Sequence, residues 1–209
     1  MDLVLLHEDE NLLAFDKPAG LLCVAGRGAD KQDCLATRVQ ARWPDALVVH
    51  RLDMATSGVV LMARGIAAQR RLGQAFAQRE VDKRYVAVVD GLIAADSGRI
   101  DLPLAADWPN RPLQQVDHDH GKVSITHWRV LERNAAAQTT LLELRPVTGR
   151  SHQLRVHLQA IGHVIVGDAL YAPPEVRDRA ERLLLHAQSL RFAHPASGAA
   201  MHIESAVPY

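Results

Sequence analysis

Residues 50–58 read His-Arg-Leu-Asp-Met-Ala-Thr-Ser-Gly and lie between two apolar runs, Leu47 to Val49 and Val59 to Ala63. The apolar runs predict two strands, and the polar run between them predicts a short loop that ends in a glycine turn. A loop that joins two core strands can be held rigidly while its side chains stay accessible. Asp53, in the middle of this loop, is therefore a candidate nucleophile or general base.

Two other interpretations of this loop compete with catalysis. Most aspartates in connecting loops cap a turn or pair with a nearby arginine, and Arg51 lies two residues away. A protein-kinase catalytic loop also begins His-Arg, but its aspartate follows the arginine directly and an asparagine follows in the same loop. Here Leu52 intervenes, no asparagine follows Asp53 in the loop, and no glycine-rich phosphate loop lies upstream. The kinase interpretation is excluded, whereas a structural role for Asp53 stays open on residue types alone.

Length and composition indicate an ordinary globular protein. The chain has 209 residues, of which 48% are hydrophobic and 23% charged, and this size suits one domain over residues 1–209. Its 24 basic residues balance 24 acidic ones, which argues against a sequence-blind nucleic-acid coat, because such proteins are strongly basic. Local basic clusters remain, and a solvated helix face would explain the first of them. The clusters are Arg64, Arg70, Arg71, Arg79, Lys83 and Arg84, and then Arg145, Arg150 and Arg155.

The two cysteines, Cys23 and Cys34, form no Cys-x-x-Cys pair, so neither a zinc cassette nor a disulfide framework is predicted. The first residues lack the basic and apolar segments of a secretory signal. No apolar run approaches the ~20 residues that a membrane-spanning helix needs. We therefore expect a protein of the reducing cytoplasm.

Apolar periodicity predicts several helices and a larger number of strands. Residues 66–79 place apolar side chains on one face and arginines and glutamines on the other, which indicates an amphipathic helix. A second helix is expected over about 152–161, capped by Ser151 and ended by Gly162. Further helices are predicted at 34–42 and 174–182. Strands are predicted at 3–7, 12–16, 21–24, 85–89, 125–132, 139–145, 183–192 and 201–204, besides the two that flank Asp53.

Residues 105–121 show no clear periodicity and contain the rigid, polar run from Asp107 to Pro112. We predict a long surface excursion there, and structured excursions of this kind are often functional. Because strands outnumber helices and many are joined by short turns, the fold class is predicted to be α+β. The expected sheet is mixed, mainly antiparallel, and flanked by helices and loops.

Several segments carry a family resemblance. His50-Arg51-Leu52-Asp53, followed by Thr56-Ser57-Gly58, resembles the signature of the RluA-type pseudouridine synthases. Four further segments agree in order along the chain: 83–87, 148–157, 162–171 and 183–187. The resemblance extends from Asp16 to Pro195 and implies the pseudouridine synthase fold. The S4-like RNA-binding domain that larger relatives carry at the N-terminus is expected to be absent.

The resemblance implies an isomerase that converts a uridine within RNA into pseudouridine. Asp53 matches the family's essential aspartate, which acts as a nucleophile or base, and a carboxylate is ionised at neutral pH. Arg155 matches the active-site arginine, expected to pair with Asp53, and Tyr85 matches the tyrosine that stacks on the flipped uracil. One of Leu184 and Leu185 is expected to form the apolar floor under the base. No metal and no cofactor are expected, because the reaction has no redox or phosphate-transfer step.

Binding of the RNA is expected to rest on basic and aromatic side chains. Arg51 is expected to enter the space that the flipped base leaves, or to contact the backbone. Arg150 is expected to hold phosphates, and Trp108 and Arg111 of the excursion are expected to read the shape of the RNA. The implied substrates are 23S ribosomal RNA and the anticodon stem-loop of tRNA, and the implied state is a monomer.

Structural roles stay open for individual residues: a salt bridge for Arg155, a half-buried strand position for Tyr85 and plain core packing for the two leucines. His152 and His157 are spaced by five residues rather than the four of a helical zinc motif, so we expect them to pack or to contact RNA. A catalytically silent RNA-binding protein of the same fold, or a synthase with a different RNA target, are the alternative functions. A glycoside hydrolase is disfavoured because it would need a second positioned carboxylate, and none stands out near these motifs.

Overall fold

The structure, a computed structural model, describes residues 3–209. The chain forms two compact units. The first unit comprises residues up to Lys83 together with 186–208, and the second comprises 84–185 together with Tyr209. The strands are β1 Val4–Glu8, β2 Leu12–Lys17, β3 Ala46–Val48, β4 Ser57–Arg64, β5 Asp82–Asp90, β6 Ser97–Asp101, β7 Leu104–Ala106, β8 Gln114–Val116, β9 Ile125–Asn134, β10 Thr139–Pro146, β11 Leu185–Ala193 and β12 Ala200–Glu204. The helices are α1 Leu35–Arg42, α2 Ile66–Gln78, α3 Gln153–Ala160 and α4 Pro174–Arg177, with a 3-10 turn at Ala29–Lys31.

The first unit is built on a mixed sheet. β2 pairs antiparallel with both β1 and β4, β3 pairs antiparallel with β4, and β11 pairs antiparallel with β12. The exception is β11 on β4, where His186 lies beside Ser57 and Ala187 beside Gly58 in a parallel register. β4 is buried along almost its entire length, as expected for a strand with partners on both sides.

Helix α2 covers the core of the first unit. Ala68 and Leu72 are buried among side chains of β2 and β4, and Ala75 and Phe76 pack against the same cluster. The predicted helix at 66–79 and its apolar face are therefore confirmed. The helix ends at Gln78, and its C-cap residue, Arg79, adopts the left-handed conformation. The predicted helix at 34–42 is also confirmed, and Cys34 caps it by accepting the Thr37 N–H on its sulfur.

The second unit is built on an antiparallel sheet in the order β5-β10-β9-β6. The hairpin formed by β9 and β10 confirms the predicted strand pair around Asn134. Helix α3 is buried from Gln153 to Leu158, so it lies inside the unit rather than on its surface. The Gln153 amide fixes its start: Oε1 accepts from Thr148 Oγ1 and Arg150 N, and Nε2 donates to the Ile125 carbonyl. The predicted α+β class with a mixed, mainly antiparallel sheet is confirmed.

Three local predictions are wrong. Residues 21–24 form no strand; Leu22 makes a single bridge to Cys34 because the chain leaves the sheet at the turn after Lys17. The helix predicted over 174–182 stops at Arg177, since Val176 is its one buried side chain and a polar segment without an apolar face gains little from packing. Ser151 does not cap α3; His152 is the N-cap residue, with a left-handed backbone at φ 53°, and its side chain makes no capping bond.

The excursion at 105–121 is more regular than its sequence suggests. β7 and β8 pair antiparallel, with Leu104 beside Val116 and Ala106 beside Gln114. The loop between them, residues 107–113, carries the run of rigid polar residues. No helix in the described part of the chain is both long and apolar enough to cross a membrane.

Candidate active site

The loop around Asp53 belongs to the first unit, and hydrogen bonds and a buried side chain hold its backbone in place. The Leu52 side chain is buried, and its N–H donates to the Cys23 sulfur over 3.2 Å. The Thr56 N–H donates to the Asp53 carbonyl over 3.1 Å, which closes a turn around the carboxylate. Asp53 is half-buried and Arg51 is exposed. The loop therefore offers both side chains to a ligand while its backbone stays fixed.

The buried side chain of Lys17 holds this loop in place by hydrogen bonds. It has no exposed surface, and its ammonium donates to the carbonyls of Pro18 (2.8 Å), Leu21 (2.8 Å) and Met54 (3.1 Å). An ammonium has three protons, so these bonds match its capacity as a donor. The sequence did not predict this role of Lys17. A lysine at the end of an apolar strand, directly before Pro-Ala-Gly, was the feature of the sequence that could have indicated a buried ammonium.

His50 supports the start of the loop as a neutral ring. Nε2 accepts the Leu61 N–H over 3.0 Å, and the ring stacks on Phe76 at 4.4 Å between centroids. Burial lowers the pKa of His50 from 6.5 to about 3, and the positive charge of Lys83 lowers it further in the same direction. A nitrogen that accepts a backbone N–H must be unprotonated, so the low pKa agrees with the geometry.

The end of the loop enters the sheet through a tight strand contact. Ser57 Oγ lies 2.8 Å from His186 Nδ1, and both residues are buried. Gly58 has φ +115°, and a Cβ atom built there would lie 2.2 Å from the Ala187 carbonyl oxygen. Glycine at position 58 is therefore required by both the backbone conformation and the close approach of β11.

Arg155 and Asp168 form a buried ion pair in the second unit. Arg155 Nε donates to Oδ2 over 2.7 Å and Nη2 donates to Oδ1 over 2.6 Å, and the two residues are 3% and 1% exposed. The guanidinium also lies over the Tyr171 ring, 5.0 Å from its centroid. The sequence resemblance implies Asp53 as the partner of Arg155, and Asp168 lies in the motif segment 162–171 without a predicted role.

Tyr85 lies within β5, Leu184 directly precedes β11, and Leu185 is the first residue of β11. Tyr85 lies on β5 beside Leu144 of β10 and is half-buried. Leu184 is half-buried, and its backbone joins two neighbours: its N–H donates to Val166 and its carbonyl accepts from Val88. Leu185 is 3% exposed. Leu184 therefore keeps more exposed surface than its neighbour Leu185.

The predicted RNA contacts of the second unit are exposed. Trp108 is 66% exposed, and the Arg111 guanidinium lies 3.5 Å above its ring. This pair, in the loop between β7 and β8, presents a flat aromatic surface together with a positive charge. Arg150 is exposed just before α3, where its Nε is 3.4 Å from the Val123 carbonyl.

Potential metal ligands gather at one place in the part of the chain that the structure describes. One ligand atom each from Asp117, Asp119 and His120 lies within 4.8 Å of the others. Asp117 Oδ1 already accepts the N–H groups of His120 and Asp119, and these bonds lower the Asp117 pKa. The group is explained as a hydrogen-bonded turn.

His157 packs in the core of the second unit. It has no exposed surface; Nδ1 lies 2.9 Å from Thr126 Oγ1 and Nε2 lies 3.0 Å from the Leu102 carbonyl. Burial lowers its pKa. His152, by contrast, reaches the Tyr171 hydroxyl. Both histidines thus have partners inside the protein, as the sequence interpretation expected for packing residues.

The residues with predicted catalytic and binding roles divide between the units. Arg51 and Asp53 belong to the first unit. The second unit contains Tyr85, Trp108, Arg111, Arg150, Arg155, Leu184 and Leu185. The roles assigned to them stay predictions.

Comparison with known sequences gives a consistent result. Residues 11–160 match a family model described as RNA pseudouridylate synthase. A protein of Yersinia pestis is 48% identical over 202 residues, covering 97% of this chain and 98% of its own. A protein of Escherichia coli K12 is 50% identical over 199 residues, covering 95% and 90%. Both relatives are named dual-specificity RNA pseudouridine synthase RluA.

Solved structures agree with the sequence relatives. Human RNA pseudouridylate synthase domain containing 1 superposes with a TM-score of 0.83 at 28% identity, covering 100% of this chain and 84% of its own. Human RNA pseudouridylate synthase domain containing 4 superposes with a TM-score of 0.78 at 24% identity, which shows that the two proteins share a fold. Fold and sequence comparisons therefore point to one family.

Proposed function

Because this chain belongs to the RluA family of RNA pseudouridine synthases, we propose that it modifies two kinds of RNA, 23S ribosomal RNA and the anticodon stem-loop of tRNA. The reaction class follows from the family: uridine in RNA is isomerised to pseudouridine. The observation that supports two targets is the identity of about half of all residues, over nearly the whole chain, to relatives named for dual specificity.

The isomerisation exchanges one bond for another. The bond between N1 of uracil and C1′ of ribose breaks, the ring turns, and C5 bonds to C1′ while the C5 proton is lost and N1 gains one. Asp53 is proposed as the nucleophile or base that starts this sequence, since a carboxylate can stabilise the positive charge that develops on the ribose. Support comes from its place in the family motif and from a loop whose backbone is fastened by Lys17, His50 and Leu52.

Arg155 and Tyr85 are proposed as the other two active-site residues. A guanidinium carries five N–H donors and can bond more than one carboxylate, and the resemblance implies Asp53 as a partner of Arg155. The Tyr85 ring is proposed to stack on the flipped uracil, with one of Leu184 and Leu185 as the apolar floor.

Binding of RNA is proposed to rest on exposed cationic and aromatic side chains. Arg51 would occupy the space of the flipped base, and Arg150 would contact phosphate. The exposed Trp108–Arg111 pair suits stacking on an unpaired base, because aromatic rings and guanidinium planes both stack on bases.

We also propose that the protein acts as a monomer in the cytoplasm and that both units serve one catalytic domain. The division between them falls inside β5, after Lys83, and inside β11, after Leu185, rather than in a linker. Size-exclusion chromatography with light scattering tests the monomer; a mass of twice 23.0 kDa would contradict it.

The first test measures tritium release from C5-tritiated 23S ribosomal RNA and tRNA transcripts. Wild-type protein should release tritium from both RNAs, and Asp53→Asn should release none while it keeps its fold and its RNA affinity. Asp33→Asn is the matched control, because Asp33 is an exposed partner of Arg38 and should leave release unchanged.

Each outcome of this test separates the alternatives. Release from one RNA alone would keep the mechanism and reject dual specificity. Binding without release from either RNA would favour a silent RNA-binding protein or a different target. A folded Asp53→Asn protein with near-normal release would reject the role of Asp53.

A further inference from the structure

Tyr171 connects the β7–β8 hairpin to helix α3. Its hydroxyl oxygen accepts the Gln114 N–H of β8 over 2.9 Å and lies 2.7 Å from Nδ1 of His152, the residue before α3. A phenol can accept one hydrogen bond and donate another, so both bonds form when Nδ1 of a neutral His152 is the acceptor. The Tyr171 residue is 8% exposed, so these bonds lie away from water.

The ring of the same residue contacts the Arg155 group. The guanidinium lies 5.0 Å from the ring centroid, within the range of a cation–π contact. Asp168, the ion-pair partner of Arg155, accepts the Tyr171 N–H on Oδ1 over 3.2 Å. Tyr171 therefore touches the predicted active-site arginine through its ring and the hairpin through its hydroxyl.

Apolar packing reinforces this connection. Tyr171 is buried together with Leu104 of β7 and Val156 of α3, and Leu113 and Val116 pack against the same cluster. The loop at 107–113, which carries Trp108 and Arg111, projects from this hairpin. This apolar cluster and the hydrogen bonds of the Tyr171 hydroxyl thus both contribute to the position of the loop relative to α3.

We infer that Tyr171 is a positioning residue that holds the loop at 107–113 in a fixed place relative to helix α3. It would thereby set the distance between the RNA-contacting pair, Trp108 and Arg111, and the active-site Arg155. This inference rests on the proposed function, in which the loop contacts RNA and Arg155 serves the reaction. It gives Tyr171 a part in substrate recognition, since the Arg155–Asp168 pair does not depend on the hydroxyl.

Tyr171→Phe tests this inference because it removes the hydroxyl and keeps the ring. With a C5-tritiated anticodon stem-loop as substrate, we expect KM to rise about 10-fold, as the loss of one to two hydrogen bonds allows. The kcat should stay within about twofold, because the ion pair and the ring contact remain. Amide hydrogen exchange at Gln114 should become faster in the same variant.

Tyr209→Phe is the matched control. It also removes a phenol that bonds to a backbone atom of the second unit, the Val86 carbonyl at 2.9 Å, but this atom lies on β5 rather than on the hairpin. It should leave KM unchanged. The melting temperatures of both variants show whether a general loss of stability, rather than loop position, changes KM.

Trp108→Ala separates this inference from the function on which it rests. The double variant combines Trp108→Ala with Tyr171→Phe. If Trp108→Ala raises KM and the KM of the double variant is no higher than that of Trp108→Ala alone, Tyr171 acts through the loop. If Trp108→Ala raises KM but Tyr171→Phe does not, the inference is overturned and the proposed function stands. If Trp108→Ala leaves KM unchanged, the loop does not contact RNA, and both the role of the loop and the inference fail.

Discussion

Two nitrogen-bearing side chains support the Asp53 loop by opposite means. Lys17 donates protons to three carbonyl oxygens, whereas His50 accepts a backbone N–H on an unprotonated nitrogen. The ammonium needs its charge to fasten the loop, and the imidazole needs to lack one. Acidification should therefore disturb His50 first.

The pH dependence of stability tests the state of His50. Its folded pKa is about 3 and its ordinary value is 6.5, so below pH 6.5 the unfolded chain takes up a proton that the folded chain does not. Stability should fall between pH 6.5 and 3. Complete burial would give a loss of about 2 kcal/mol between pH 7.5 and 5, and we expect about half of that because the residue keeps some solvent contact.

Urea unfolding at pH 7.5 and pH 5 measures this effect. His50→Gln keeps a group that can accept the Leu61 N–H and removes the titration, so it should lose about 1 kcal/mol less than wild type over the same interval. Equal losses in both proteins would show that His50 does not remain neutral in the folded state.

The place of a candidate site residue in the fold was easier to predict from the sequence than the residues that contact it. The motif around Asp53 is contiguous, so its place on a loop between two strands was predictable from the flanking apolar runs. Arg155 and Asp168 are 13 residues apart, and Gln114 and Tyr171 are 57 apart. Pairs of this kind leave no periodic pattern, because tertiary packing rather than local conformation brings them together.

At the level of elements, the parallel contact between β4 and β11 depends on a residue without a side chain. We expect Gly58→Ala to destabilise the protein by at least about 3 kcal/mol or to prevent folding, because its Cβ would overlap the Ala187 carbonyl and φ would be strained. Thermal or urea unfolding measures the change.

Gly73→Ala provides the matched comparison on helix α2. A Cβ atom at position 73 would meet nothing within 4 Å, and alanine favours helix, so this variant should gain about 0.5–1 kcal/mol. Similar losses in both variants would mean that helix and strand glycines are equally replaceable, against the geometry of β4.

Elements with a strong local signal were predictable and elements fixed by contacts were not. The periodic spacing of apolar residues predicted helix α2, and two strand-like runs around a turn predicted the β9–β10 hairpin. The 174–182 prediction failed because residues beyond Arg177 have no apolar face to bury. The β7–β8 hairpin was not predicted, because its strands have only three residues each and it is stabilised by packing on Tyr171 and α3.

For the whole molecule, balanced charge predicts a modest dependence of RNA binding on salt. Formal net charge is zero, so phosphate contacts must come from local groups, and Arg51, Arg111 and Arg150 are the proposed ones. Each contact to single-stranded RNA contributes about 0.7 to the slope of log K against log salt, which gives a slope of about −2 for three contacts. Fluorescence anisotropy with the Asp53→Asn protein at several potassium chloride concentrations measures it.

The comparison for this measurement is a duplex RNA without a loop. Its binding should be weak at physiological salt, because a neutral protein lacks a general attraction for phosphate. A slope steeper than about −5 for the stem-loop would contradict the prediction and would indicate a broad basic surface instead.

The burial of both cysteines has a practical consequence for labelling. Cys23 is 5% exposed and Cys34 has no exposed surface, and burial raises the pKa of the Cys23 thiol, so little reactive thiolate reaches solvent. A maleimide dye should therefore leave the native protein unlabelled. Gln115→Cys on the exposed side of β8 would then accept a single fluorophore, and its emission could report the arrival and departure of RNA without removing any natural thiol.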